Sequence, residues 1–283
     1  MIAQLPSTLI CGAIRNGGAG FIKTLSVIEG LKPFLAECDV VLVTNDNTDG
    51  TDAAIASWAA SSAHHHVIRL DGMAAAVPNR VDRLAMARNF YLEFRYSRLS
   101  KPFDLVLVLD LDGPNQSLDP AEFARVVTSL APGWDGLFPN QLKAYYDILA
   151  LRHDTWCPAD CMDEVQRATR KRTLRQPFKS ARGRAARKAF IYDRQIQIPT
   201  AHPPFRVRSA FGGLGLYRAS ALTNCWYGSK TASGAPCCDH VVLNEEITRR
   251  GGQLLIVPNL LNDAPEEHLR PESGRPLPAG LKL

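Results

Sequence analysis

Four apolar runs, separated by stretches of helical pattern, constrain this chain more than any other feature. They lie in "STLICGAIRNG", "CDVVLVTND", "HHVIRLDG" and "FDLVLVLDLDG", all within the first 113 residues. A strand buried on one face alternates apolar and polar residues, whereas these runs are almost continuously apolar, as strands covered on both faces are. Between the first two, "GFIKTLSVIEGLKPFL" sets Phe21, Leu25, Ile28, Leu31 and Leu35 at helical spacing. "DNTDGTDAAIASWAA" predicts a turn and a helix that Thr51 or Asp52 caps, and "RVDRLAMARNFYLEFRYS" a further helix. Strands alternating with helices imply a mostly parallel α/β sheet flanked by helices on both faces.

Sheets of this class bind ligands at the carboxyl ends of their strands. The polar clusters fall there: Arg15-Asn16, Asn45-Asp46-Asn47, and Asp110 with Asp112. No GxGxxG fingerprint follows the first strand and no Walker-type lysine loop occurs, which argues against dinucleotide-binding dehydrogenases and P-loop nucleotide hydrolases.

Beyond Pro114 the pattern becomes mixed. "DPAEFARVVTSL" predicts a helix capped near Asp119, "WDGLFPNQ" a short strand, and "AYYDILALRHDTW" another strand. Residues 162–188 are helical in composition, "FRVRSAFGGLGLYRAS" is strand–turn–strand, "CCDHVVLNEEITRRGG" a helix with a glycine stop, and "QLLIVPNLL" a last strand. The expected organisation is one domain over 1–263, in two halves (1–115 and 116–263), then a loose Pro-rich tail over 264–283.

A chain of 283 residues with 46% hydrophobic and 22% charged residues has the composition of a globular protein. Its seven cysteines are odd in number and scattered, which does not suit a disulfide framework, and the Cys157, Cys161, Cys237, Cys238 spacing matches no strong zinc signature. His64-His65-His66 reads as a solvated loop ahead of a metal site. Met1–Leu9 has no signal-peptide pattern and no run is long enough to span a bilayer, so the expected location is cytoplasmic.

The stretch "DLVLVLDLDG" brings two carboxylates to the mouth of an apolar strand. Residues i and i+2 of a strand share a face, so Asp110 and Asp112 converge while Leu111 turns to the core. Two like charges side by side are costly unless a cation neutralises them. A hard divalent ion, Mn2+ or Mg2+, suits two carboxylates and keeps positions open for phosphate oxygens.

In order and spacing, "AIRNGGAGFIKTLSVIEGL", "VVLVTNDNTDGT", "RVDRLAMARNFYLE" and "DLVLVLDLDG" resemble the nucleotide-diphospho-sugar (GT-A) fold of glycosyltransferases, family-two-like, over residues 8–115. The resemblance implies Arg15, Asn45, Asp46 and Asp49 near the nucleoside, and Arg80, Arg88 and Asn89 on the donor side. It implies Asp110 and Asp112 at the metal. Asn45 stands where many relatives carry an acid. "AFGGLGLYR" is similar to the Gly-Gly strand lining the sugar pocket, implying Gly212 and Gly213 there. "CCDHVVLNEEI" is similar to the acidic helix start that supplies the base of inverting members, implying Asp239, with Glu245 as its rival and a helix cap as the alternative for Asp239. His240, or the later His268, is the expected third metal ligand. "KAYYDILALRHDTW" is similar over a short segment to fungal capsule-associated mannosyltransferases, which are retaining, so stereochemistry stays open.

From Arg167 to Lys188 there are ten Lys or Arg and no acid. That stretch suits a solvated face, a lid over the donor, or a peripheral contact with an anionic membrane at the inner face. No nucleic-acid reader accompanies it, so nucleic acid is not an expected partner. The expected function is metal-dependent transfer of a sugar from a nucleotide-diphospho-sugar to a saccharide or lipid-linked acceptor in cell-surface polysaccharide or glycolipid synthesis. The rivals are a sugar nucleotidyltransferase, whose arginine-rich loop "RNGGAGFIK" lacks, and a non-catalytic module binding anionic membranes or polymers.

Overall fold

The structure is a computed structural model that describes residues 3–97, 102–170 and 179–283. Its centre is an eight-stranded sheet. β1 (Thr8–Ile14) pairs in parallel with β2 (Cys38–Thr44) and with β4 (Leu105–Asp110), and β2 pairs in parallel with β3 (His65–Arg69). On the other side of β4 the sheet becomes mixed. β8 (Leu214–Arg218) runs antiparallel between β4 and β5 (Gly136–Gln141), β9 (Leu254–Asn262) lies parallel to β5, and β7 (Phe205–Val207) closes the edge antiparallel to β9. The mostly parallel α/β expectation, with a mixed second half, agrees with this order.

The continuous apolar runs have a simple cause in the packing. In β1, Leu9 and Cys11 enter one core with Tyr91 and Leu92 of α4 (Arg80–Ser97) and Leu243 and Ile247 of α8 (Asp239–Arg249). Ile10 and Ile14 enter the opposite core with Phe21, Ile28 and Leu31 of α1 (Gly18–Leu31), Ile55 of α2 (Thr51–Ala59) and Phe123 of α5 (Pro120–Ser129). β2 and β4 alternate in the same way, so both faces of the parallel half are covered. Each fully buried aliphatic side chain there contributes about 1.5–3 kcal/mol. Helix α5 begins as expected, with the Asp119 carboxylate accepting from the N–H groups of Ala121 and Glu122.

Four local expectations need correction. His65 and His66 open β3 in place of a solvated loop, and His65 is buried, stacked on Trp58 at 3.8 Å. Neither Thr51 nor Asp52 caps α2: Asp49 accepts from the Thr51 N–H at 3.0 Å, while the Thr51 hydroxyl accepts from Gly17 N–H and ties the two preceding loops together. "AYYDILALRHDTW" forms turns and two isolated bridges, Arg152 to Ser209 and His153 to Cys157, in place of a strand. Asp147 accepts from the Ala150 N–H three residues on, which closes a turn in the middle of that run. The tail is not loose. β10 (Arg275–Pro276) pairs with β6 (Ile196–Gln197), and Leu277, Leu281 and Leu283 pack on the core.

The basic stretch lies on α6 (Cys161–Arg170) and α7 (Lys179–Phe190), which pack together; residues 171–178 fall outside the described residues. No helix among the described residues is long and apolar enough to cross a membrane.

Candidate active site

The loops after β1 and β2 are knitted into one surface. The Asn16 N–H donates to Asn47 Oδ1 at 2.8 Å, and Asn16 Oδ1 accepts from Thr48 N–H at 2.8 Å. Asp49 Oδ2 accepts from Gly18 N–H at 3.2 Å, and Arg15 Nε donates to the Asp46 carbonyl at 3.3 Å. Asp46 spends its carboxylate on the chain itself: Oδ1 accepts from Gly72 N–H at 2.6 Å, Oδ2 from Ala74 N–H at 2.7 Å and from the Asn45 amide at 2.9 Å. These bonds hold the start of α3 (Met73–Ala76) and keep the Asp46 carboxyl below its ordinary range. Arg80 is exposed at the first position of α4.

β4 ends at Asp110, so Asp112 sits in the bend that follows, exposed, with the buried Leu111 between them. Leu111 occupies space that a side chain at Gly12 would fill, since a Cβ there stands 2.6 Å from Leu111 Cδ1. The Asp110 N–H donates to the Gly213 carbonyl at 2.8 Å. Asn115 Nδ2 donates to that carbonyl at 2.7 Å and to the Asp110 carbonyl at 2.9 Å. Asn262 Nδ2 in turn donates to Asn115 Oδ1 and to the Gly212 carbonyl, and Gln141 Nε2 donates to Asn262 Oδ1. This buried amide chain locks the Gly212–Gly213 turn to the end of β4. Gly213 is left-handed (φ 84°), and a Cβ on it would stand 2.5 Å from Pro114 Cβ, so its bare backbone makes room for Pro114.

Arg88 of α4 is the hub of the site. Its side chain is 8% exposed; Nη2 donates to Asp110 Oδ1 at 2.9 Å, Nε lies 3.1 Å from Asp239 Oδ2, and Nη1 donates to His240 Nε2 at 2.8 Å. The rings of Phe211 and Tyr227 cover it at 5.2 and 5.8 Å. A guanidinium offers only donors, so His240 Nε2 must accept, which makes the ring neutral with its proton on Nδ1. Burial and the adjacent Arg88 charge hold its pKa well below the usual histidine range, in agreement. The expectation that His240 ligates a metal is therefore corrected: one ring nitrogen serves Arg88, the other carries the proton, and the ring is stacked on Phe211 at 3.5 Å.

Two other expected residues point elsewhere. Asn89 exchanges hydrogen bonds with the backbone of Tyr227, Nδ2 donating to its carbonyl at 3.0 Å and Oδ1 accepting from its N–H at 2.8 Å. Glu245 faces Arg208 at 3.5 Å, and Arg208 also pairs with Asp154. Among the described residues neither the Asn89 nor the Glu245 side chain hydrogen-bonds or pairs with Arg88, Asp110 or Asp239, which stands against the rival-base expectation for Glu245.

Sequence reasoning missed Asp147. Its Oδ2 accepts from Gly212 N–H at 3.0 Å and Oδ1 from Ala150 N–H, and burial raises its pKa despite both bonds. The preceding Tyr146 stacks on the exposed His268 at 5.5 Å. The single aspartate of "YYDI" was the one signal in the sequence, and a turn aspartate reads the same way.

Asp110 is 30% exposed yet its carboxyl is pushed up to about 7. Burial is the largest cause; Arg88 pulls it back, and Asp112, Asp147 and Asp239 raise it again. A site with this uncompensated acidity fits a hard cation. Among the described residues no group of three or more His, Cys, Asp or Glu stands ready to cage an ion. Two carboxylates completed by phosphate oxygens and water is, however, the usual donor set for Mg2+ and similar ions beside a diphosphate.

No protein-family model matches the sequence, and no curated protein does. Solved structures do match its shape. One is a mannosyltransferase from Pyrobaculum calidifontis in complex with GDP-Man and Mn2+, with a TM-score of 0.52 at 13% identity over 92% of this chain. Another is GalNAc-T7 with UDP, GalNAc and Mn2+, with a TM-score of 0.50 at 16% identity over 95% of this chain. The chain spans 57% and 46% of the lengths of those two proteins. At such identity the likeness concerns the fold, and the fold of this chain is that of the GT-A glycosyltransferases.

Proposed function

We propose that the chain is a metal-dependent glycosyltransferase that moves a sugar from a nucleotide-diphospho-sugar to a saccharide or lipid-linked acceptor. One observation carries the reading. In a GT-A fold, at the carboxyl end of β4, Asp110 stands within electrostatic reach of Asp112, Asp147 and Asp239, with the buried Arg88 bridging Asp110 and Asp239.

Asp110 and Asp112 would hold Mn2+ or Mg2+; bound there, such an ion neutralises the donor diphosphate and the charge that develops on it as the sugar leaves. The residues of the chain do the rest. Arg15, Asn45, Asp46 and Asp49 would form the nucleoside side, Arg80 would serve the donor, and the Gly212–Gly213 turn would border the sugar. Asp239 is the candidate base: its carboxylate takes the proton of the acceptor hydroxyl as the oxygen attacks the anomeric carbon in an inverting displacement. The exposed basic residues of α6 and α7 suit an anionic membrane surface and a lipid-linked acceptor at the cytoplasmic face, for surface polysaccharide or glycolipid assembly.

The test is turnover. A panel of UDP- and GDP-sugars is incubated with the protein and Mn2+, and release of the nucleoside diphosphate is followed with and without simple saccharide acceptors. Release with at least one donor, dependent on the ion and lost in Asp112→Ala, is the expected result. No release with any member of the panel counts against the reading.

A further inference from the structure

The resemblance to the family assigns Arg88 to the donor, but the contacts of this chain assign it to the acids. A guanidinium presents its hydrogens outward in one plane, from Nε and the two Nη atoms. Here Nη2 donates to Asp110 at 2.9 Å and Nη1 to His240 at 2.8 Å, while Nε lies within ion-pair range of Asp239 at 3.1 Å without a hydrogen bond. Phe211 and Tyr227 lie over the group, and its side chain is 8% exposed. A diphosphate that took either Nη donor from Asp110 or His240 would leave a buried carboxylate or imidazole unmatched.

The partners come from separate parts of the fold. Arg88 is on α4, Asp110 ends β4, and Asp239 and His240 open α8. His240 is clamped in turn, stacked on Phe211 at 3.5 Å and edge-on to Tyr227 at 5.2 Å. Tyr227 is held by the paired bonds to Asn89, one residue along α4 from Arg88. The start of α8 is thus located through α4 against the end of β4. Arg88 donates to Oδ1 of Asp110 and faces Oδ2 of Asp239 as an ion pair at 3.1 Å; among the described residues Oδ1 of Asp239 meets the weak Cys238 thiol donor, at 3.5 Å.

We propose that Arg88 is a positioning residue that fixes the acceptor-side Asp239 relative to the donor-side Asp110 and contributes little to donor affinity. The proposal rests on the glycosyltransferase reading above.

A double-mutant cycle tests it, with Arg88→Lys, Asp239→Asn and the double variant. Donor affinity is measured by calorimetry in Mn2+, and turnover at saturating donor, on the sugar nucleotide that the wild type uses best. For Arg88→Lys the expected result is donor affinity within about threefold of wild type and turnover lower by about 100-fold, the usual scale of a misplaced reacting group. The double variant should be no slower than Asp239→Asn alone, because both substitutions disable the same group. Arg88→Lys keeps the positive charge and is chosen over Arg88→Met for folding; a thermal melt confirms the native state, and His240→Phe, which removes the acceptor at Nη1, gives a second cycle with Asp239→Asn if it does not. Losses that multiply in the double variant overturn the proposal, as does a tenfold weaker donor with unchanged saturated turnover. A wild type that neither binds nor turns over any donor overturns the functional reading, and the proposal with it.

Discussion

Arg88 Nε lies 3.1 Å from Asp239 Oδ2, both side chains almost wholly buried, so a residue of the first sheet half and one of the last helix share a desolvated charge pair. Breaking a buried pair from one side strands the other charge, at a cost of about 3–5 kcal/mol, whereas removing both charges costs far less. The same pair therefore bears on stability and on the placement of the candidate base.

The raised Asp110 carboxyl makes stability depend on pH. An unfolded aspartate titrates near 3.9, while Asp110 in the fold titrates at about 7. Between those values the folded state binds more protons than the unfolded one, so this group lowers stability as pH rises through that window. The melting temperature of Asp110→Asn relative to wild type should accordingly increase from pH 4 to pH 8. Mn2+, which needs the ionised carboxylates, should raise the wild-type melting temperature more at pH 8 than at pH 5. A scan at four pH values with and without the ion checks both; equal shifts throughout would contradict the assigned environment of Asp110.

Gly213→Ala should be destabilising and slow together. The added methyl meets Pro114 in a left-handed backbone position, which together cost about 2–4 kcal/mol. Relief by backbone shift would disturb the Gly213 carbonyl that accepts from Asp110 N–H and Asn115. Chemical denaturation gives the first quantity and donor turnover the second. A stable variant with lowered affinity for donor alone would instead point to direct contact with the sugar.

Asp46→Ala separates scaffolding from nucleoside contact. Loss of its acceptor bonds from Gly72 and Ala74 should lower the melting temperature. If Asp46 also faces the ribose, donor affinity falls more than tenfold in the same variant; if it only braces α3, affinity changes by less than threefold. Calorimetry beside a denaturation curve decides between them.

Much of the sheet was legible because its cause is local. Runs such as "DLVLVL" alternate between two cores on adjacent residues, and burial on both sides leaves no polar position. The carboxyl-end clusters were legible for the same reason, being where each apolar run stops. What stayed hidden depends on partners distant in sequence. Asn115, Gln141 and Asn262 form one buried amide chain, yet amides carry no periodic signal. Asp147 sits in an apolar stretch whose β-like composition conceals a turn. His240 reads as a ligand until its ring nitrogen is seen to accept from Arg88. The tail, rich in proline, owes its order to a two-residue pairing with β6 and a few leucines.

The most direct measurement is donor binding by titration calorimetry, using the UDP- or GDP-sugar that best supports turnover, with and without Mn2+, in wild type and Asp112→Ala. The account predicts binding by the wild type that weakens at least tenfold when the ion is removed, and an Asp112→Ala protein that is folded but insensitive to the ion. Binding of equal strength with and without Mn2+, or an Asp112→Ala protein as responsive as the wild type, would contradict it.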